Sequence, residues 1–289
     1  ILERANRHTR VSGAREAGMR ELLEAVASGE ISPATAEAKL RGYVTSEAGR
    51  FDAARKLRAG VPEAILGVGK TSDELVALVE ASVNSTDRAI VTRADAADVA
   101  TIREHLVDTV PDASVQFDER GRTVVVHTSE FERPELDANV GIVTAGTSDA
   151  MPAGEAATIV QEMGAAIERV YDVGVASLAR LLDQLPTLRA QDVLIVAAGR
   201  EGALPTVIAG LVDVPVIAVP VSTGYGHGSD GEAALAGMLQ SCTALTVVNV
   251  DAGFTAGVQA GLVARQLDAV RSGEDPDGSE SECGTDPAG

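Results

Sequence analysis

The stretch from Asp192 to Pro220, DVLIVAAGREGALPTVIAGLVDVPVIAVP, decides the fold. Asp192–Ala197 is an apolar run with no polar alternation, as expected of a strand buried on both faces. Gly199 and Gly202 then break the run. Gly202–Val212 carries helical spacing, and Val216–Val219 is a second apolar strand. Two buried strands separated by one helix pair in parallel, joined by a right-handed crossover.

The same rhythm extends in both directions. Val140–Thr144, Ile167–Tyr171 and Thr246–Asn249 read as further strands. Ala153–Gly164, Ser177–Leu185, Gly231–Gln240 and Gly253 to about Arg271 read as the helices between and after them. Residues 139–271 therefore form an α/β domain: a doubly wound parallel sheet covered by helices on both faces, a three-layer sandwich. In such sheets ligands bind beyond the carboxyl ends of the strands, so the functional residues belong in the loops that follow them.

The front of the chain differs. Residues 1–62 read as a helical segment. Gly13–Ala27 has helical spacing, Ser32-Pro33 opens a second helix to about Tyr43, and 49–63 is charged and punctuated by Gly and Pro. Residues 63–130 read as a small α+β domain. It contains a strand at Ala64–Val68, a helix capped by Thr71 or Ser72, a strand at Arg88–Thr92 and a helix at Asp95–Val107. Ser114–Phe117 and Thr123–His127 complete it as a hairpin. Glu130–Asn139, with Pro134, reads as a linker. Residues 272–289 have nothing to bury and predict a disordered acidic tail.

Composition sets the limits on partners. Hydrophobic residues make up 45% of the chain, yet Trp is absent, so the core must be built of Val, Ala, Leu and Ile. A formal net charge of −19 argues against nucleic acid or an anionic membrane as a partner. No run approaches the ~18 apolar residues of a membrane span, and the cytoplasm is the expected location. Lys39, Lys56 and Lys70 are the only lysines; with the excess of acid they suggest a halophilic host, against an ordinary acidic cytosolic protein. Cys242 and Cys283 make no disulfide framework.

Each ligand-edge loop offers candidates beside a plainer reading. Gly146, Thr147, Ser148 and Asp149 follow the first back-domain strand and open a helix, where an anion is favoured. Asp149 can accept from ribose hydroxyls; simple helix capping is the alternative. After the third strand, Glu201 stands between Gly199 and Gly202 as a general base, a metal ligand, or merely an acid answering the helix dipole. Gly224, Tyr225, Gly226 and His227 form a Gly-rich loop after the fourth strand, in which His227 is either functional or a solvated loop residue. Cys242 precedes the fifth strand and reads either as a packing residue or as a reactive thiol. Asn249 and Asp251 follow that strand.

Taken together, GIVTAGTSDAMPAGEAA, DVLIVAAGREGALPTVIAGLVDVPVIAVPVSTGYG and MLQSCTALTVVNVDAGFTAG resemble the purine-pathway aminoimidazole ribonucleotide carboxylase/mutase (PurE) family. They resemble more closely its relative, the LarB family of nickel-pincer cofactor biosynthesis, whose front signature is similar to GRFDAARKLRAGVPEAILGVGKT. The purine enzymes carry Ser-Ala-His-Arg after the second strand, where this chain has Val170-Tyr171-Asp172-Val173-Gly174-Val175. That departure tells against the purine reaction.

The LarB resemblance implies carboxylation of the pyridinium ring of nicotinic acid adenine dinucleotide at C5. The phosphoanhydride is hydrolysed as well, giving AMP and pyridinium-3,5-biscarboxylate mononucleotide. It implies Cys242 as nucleophile, CO2 or bicarbonate as co-substrate, Mg²⁺ at the pyrophosphate and a ring-like homo-octamer. It further implies Glu155, Tyr171, Asp172, Gly202 and Ala203 at the substrate, and Lys70 and Arg55 as cationic contacts from the front domain. A purine-type carboxylase and a non-catalytic nucleotide-binding module are the alternatives.

Overall fold

The computed structural model describes residues 23–29, 36, 42–46, 48–224 and 226–273. Most of the expected helices at Gly13–Ala27 and Ser32–Tyr43, Tyr225, Cys283 and nearly all of the tail lie outside the described residues.

The front half opens with a hairpin, β1 (Val44–Ser46) and β2 (Gly49–Phe51), followed by α1 (Arg55–Ala59). The sequence reading expected only helix and punctuated coil up to residue 62. Strands of three residues are too short to display alternation, which is why the hairpin is not visible in the sequence. It is nevertheless built into the core: Phe51 is buried among residues of the sheet and helices that follow. Those are β3 (Ile65–Leu66), α2 (Ser72–Thr86), β4 (Arg88–Thr92), α3 (Ala96–Thr109), β5 (Ser114–Asp118) and β6 (Thr123–His127). Capping boxes at Thr71–Glu74 and Asp95–Asp98 start α2 and α3. The four strands run in the order β3-β4-β6-β5, with only the β3–β4 pair parallel.

The back half contains β7 (Asn139–Thr144), α4 (Ala150–Met163), β8 (Ala166–Val170), α5 (Leu178–Arg189), β9 (Val193–Ala198), α6 (Ala203–Ala209), β10 (Val216–Pro220), α7 (Glu232–Leu239), β11 (Thr246–Val247) and α8 (Gly253–Ser272). Its five strands are all parallel, in the order β11-β10-β9-β7-β8. In chain order within this half that is the flavodoxin-like arrangement, and its switch point lies between β7 and β9. Every residue of β9 and β10 is buried. Alternate residues serve opposite faces. Val193, Ile195, Ile217 and Val219 pack with Ala156, Ala157, Ala256 and Ala260 of α4 and α8. Leu194, Val196, Val216 and Ala218 pack with Leu181, Leu188, Ile208 and Met238 of α5, α6 and α7.

The two halves are joined across α4. On β4 the side chains of Ala89 and Val91 enter the front core, while Ile90 packs against Ile159 and Met163 of α4. Arg88 shares the face of Ile90, and its Nη1 donates to the buried carboxylate of Glu162 at 3.1 Å. His127, registered opposite Arg88, bonds Glu162 at 2.9 Å, and Arg133 does so at 2.8 Å. The Thr123 and Thr158 hydroxyls meet at 2.7 Å. Residues 129–138 have no regular structure, yet they are held: the Leu136 N–H donates to the Gly164 carbonyl.

One backbone contact fixes the docking. A Cβ at Gly154 would lie 2.5 Å from the Gly121 Cα. Gly154→Ala must therefore push the β5–β6 turn off α4. A loss of about 1–3 kcal/mol is expected in urea unfolding; a change near zero would mean the joint yields freely.

Candidate active site

The loops after β7, β8, β9 and β10 converge on a cleft of about 530 Å³ at the switch point. Its walls include Gly146, Ser148, Asp149, Gly174, Gly199, Arg200, Glu201, Ala203, Thr223 and Gly224. That volume is in the range of small-molecule sites, ~300–1,000 Å³. Two glycines make the convergence possible: a Cβ at Gly174 would lie 2.6 Å from the Ala145 carbonyl oxygen, and one at Gly199 would lie 2.5 Å from that of Thr223. A second depression of about 200 Å³ continues from Arg200, Glu201, Thr223 and Gly224 to His227, Ser229 and Gly231.

Asp149 is the one deeply buried charged side chain of the cleft, 3% exposed. It ends the 3-10 turn Thr147–Asp149 that leads into α4. Its carboxylate accepts from the Gly146 N–H at 2.7 Å and from the Ser148 hydroxyl. Burial pushes its carboxyl above the usual range, against these bonds. The Gly146 N–H is thus committed to Asp149, and the floor of the cleft is an acceptor that can hold a hydroxyl or take a proton. Glu201 is exposed on the rim shared by both depressions.

Arg200, beside it, has φ 56°, a left-handed backbone disfavoured for a side chain of its size. It lines both depressions as well. The sequence reading passed over it; its position between Gly199 and Glu201 was the available signal.

Other predicted site residues support the cleft from behind. Gly202 is the left-handed N-cap of α6 and packs on Ala234. Asp172, at φ 60°, donates its N–H to the Thr144 hydroxyl and pairs with Arg180 at 2.6 Å. Asp251 accepts from the Ser222 N–H at 3.0 Å, holding the base of the Gly-rich loop. Its carbonyl in turn accepts from Arg93 of the front half at 2.8 Å.

Several candidates lie elsewhere. Thr147 and Gly226 are exposed and are not among the cleft walls. Glu155 is buried in α4 and accepts from the Phe254 N–H at 3.1 Å, so it caps the start of α8; burial pushes its carboxyl up. Tyr171 is half-buried against the α4–α8 side of the core, and burial raises its phenol. The Asn249 side chain accepts the N–H of Val250 in its own turn. Lys70 sits in the turn before α2. Arg55 is paired with Glu63 at 2.6 Å and lies over the Phe254 ring.

Cys242 is exposed and precedes β11. Loops that precede parallel strands lie towards the amino edge of the sheet, opposite the cleft. Within one chain this thiol is not among the cleft walls. Among the described residues no three His, Cys, Asp or Glu side chains converge to hold a metal, and no helix is long and apolar enough to cross a membrane.

Comparison with known proteins matches both halves. The AIR carboxylase family profile covers residues 139–275, and the LarB/PurE-like N-terminal domain profile covers 43–129. An uncharacterized protein of Methanocaldococcus jannaschii is 37% identical over 254 residues, spanning 86% of this chain and 97% of that protein. Two crystal structures of Treponema denticola PurE proteins, one a substituted form, are also similar. The substituted form is 20% identical with a TM-score of 0.33, covering 49% of this chain and 96% of its own. The other is 18% identical with a TM-score of 0.34, covering 48% and 96%. Front and back domain profiles in this order, with an archaeal relative matched along nearly its whole length, make this chain a member of the LarB/PurE-related carboxylase family.

Proposed function

We propose that the protein carboxylates the pyridinium ring of nicotinic acid adenine dinucleotide at C5 and cleaves its phosphoanhydride. The products are pyridinium-3,5-biscarboxylate mononucleotide and AMP. The observation that carries this reading is the loop after β8. It meets the cleft with Gly174, Val175 and Ala176, so the imidazole and guanidinium of the purine enzymes have no counterpart there. An open, uncharged wall suits a flat, cationic pyridinium ring.

Chemically, a thiolate adds to C4 of the ring and neutralises it to a 1,4-dihydropyridine. The C5=C6–N1 unit is then an enamine, and C5 attacks CO2. Loss of the C5 proton restores the enamine, and expulsion of the thiolate restores the aromatic pyridinium, so the sulfur is regenerated unchanged. In this reading Asp149, whose carboxyl burial raises above the usual range, receives that proton. Because Cys242 lies away from the cleft of its own chain, the attacking thiol is that of a second copy. At the rim, Glu201 activates the water that cleaves the phosphoanhydride. Asp149 and Glu201 are the carboxylates of the cleft, and together with phosphate oxygens of the substrate they would hold Mg²⁺, which would neutralise charge at the phosphoanhydride.

Two measurements test this. Binding of nicotinic acid adenine dinucleotide is expected to be tighter than that of aminoimidazole ribonucleotide; the reverse order would return the protein to purine chemistry. Glu201→Gln is expected to slow AMP release about 100-fold with substrate Kd nearly unchanged. Equal AMP release would remove the base from Glu201.

A further inference from the structure

We propose that a cavity in the front half, which shares no residue with the cleft, binds a small oxyanion of the size of phosphate. The cavity, about 200 Å³, is walled by Phe51, Asp52, Lys56, Glu63, Arg88 and Phe131. At ~30 Å³ per water it has room for a tetrahedral or planar oxyanion with part of its hydration shell, and none for a nucleotide.

The charge pattern selects the sign. This is a chain of net charge −19, yet each carboxylate around the cavity is already matched. Asp52 is paired with Arg58 and Glu63 with Arg55. Glu162 is shared by Arg88, His127 and Arg133. Lys56 has no carboxylate partner among the described residues. The charges that act on it are Arg88 and Arg265, and burial together with these two cations holds its ammonium below the usual lysine range. Arg265 comes from α8 of the back half and also donates to the Gly60 carbonyl at 2.9 Å.

Two cations, Lys56 and Arg88, therefore line the cavity, and among the described residues only Arg88 of the two has a carboxylate partner, Glu162. A resident anion would accept from the ammonium and relieve their repulsion. Phe51 and Phe131 wall the same space. Occupation of the site stabilises the folded chain by mass action.

The test is thermal unfolding of the full chain in inorganic phosphate, at an ionic strength held constant with sodium chloride. The wild-type Tm is expected to rise by about 3 °C at a tenfold excess over Kd. Lys56→Gln is expected to lose that rise, whereas Lys56→Arg, which keeps the charge, retains it. Lys56 is exposed enough for either substitution to leave the fold intact. Any phosphate bound in the cleft contributes equally to all three proteins. A Tm rise in Lys56→Gln equal to that of the wild type would overturn the proposal. So would the absence of any rise in the wild type, or its loss in both variants alike.

Discussion

Cys242→Ala is expected to abolish ring carboxylation, by at least ~10³-fold, while the protein stays folded. Removing a covalent nucleophile leaves only binding and electrostatics to act, and losses of that order or larger follow. The fold survives because the side chain is exposed, and surface truncations cost within about 0.5 kcal/mol. Two readouts separate the possibilities. Product formation by Cys242→Ala at the wild-type rate would rule out thiolate addition. Mixing Cys242→Ala with a cleft-blocked variant, Ser148→Arg, then locates the thiol. Recovered activity in re-formed assemblies is expected if the sulfur of one copy serves the cleft of another, and no recovery if it serves its own.

The second large effect concerns stability. Glu162→Ala is expected to cost about 3–5 kcal/mol, because it strands the Arg88 guanidinium in the buried joint without a counter-charge. Arg88 is 6% exposed and Glu162 3%, so water cannot take over. Burial alone would raise the Glu162 carboxyl. The bond from His127 and the charges of His127, Arg88 and Arg133 outweigh it and hold the group below the usual range. The sign follows from that depression. The stabilisation is present above the carboxylate range of the unfolded chain and is lost as pH falls through the lower, folded value. Urea unfolding at neutral pH and in mild acid checks both points. The gap between wild type and Glu162→Ala should be widest at neutral pH and close on acidification; a gap under ~1 kcal/mol at neutral pH would contradict the buried ion cluster.

The back half was legible because its signal is strong and local. The strands around Val193–Ala198 and Val216–Pro220 are unbroken apolar runs, and the glycines between elements fall where the loops cross closely. Parallel order and the ligand edge follow from that pattern, and with them Ser148, Asp149, Gly199 and Glu201. What escaped the sequence depends on distant partners. Arg88 and Glu162 are 74 positions apart, and nothing near either residue announces the other. The resemblance places Glu155 at the substrate, whereas in the fold its carboxylate accepts from the N–H of Phe254 at the N-terminus of α8, 99 positions away. Cys242 carries the sharpest family signal, yet its place before β11 puts it on the wrong side of its own sheet. Motif position does not reveal which copy a residue serves.

The most direct test of the central reading is product analysis. The protein is incubated with nicotinic acid adenine dinucleotide and isotopically labelled bicarbonate, in parallel with aminoimidazole ribonucleotide and the same bicarbonate, and both reactions are read by mass spectrometry. The account predicts AMP and a labelled pyridinium-3,5-biscarboxylate mononucleotide from the dinucleotide, and no turnover of the imidazole. Labelled carboxyaminoimidazole ribonucleotide with the dinucleotide left intact would contradict it.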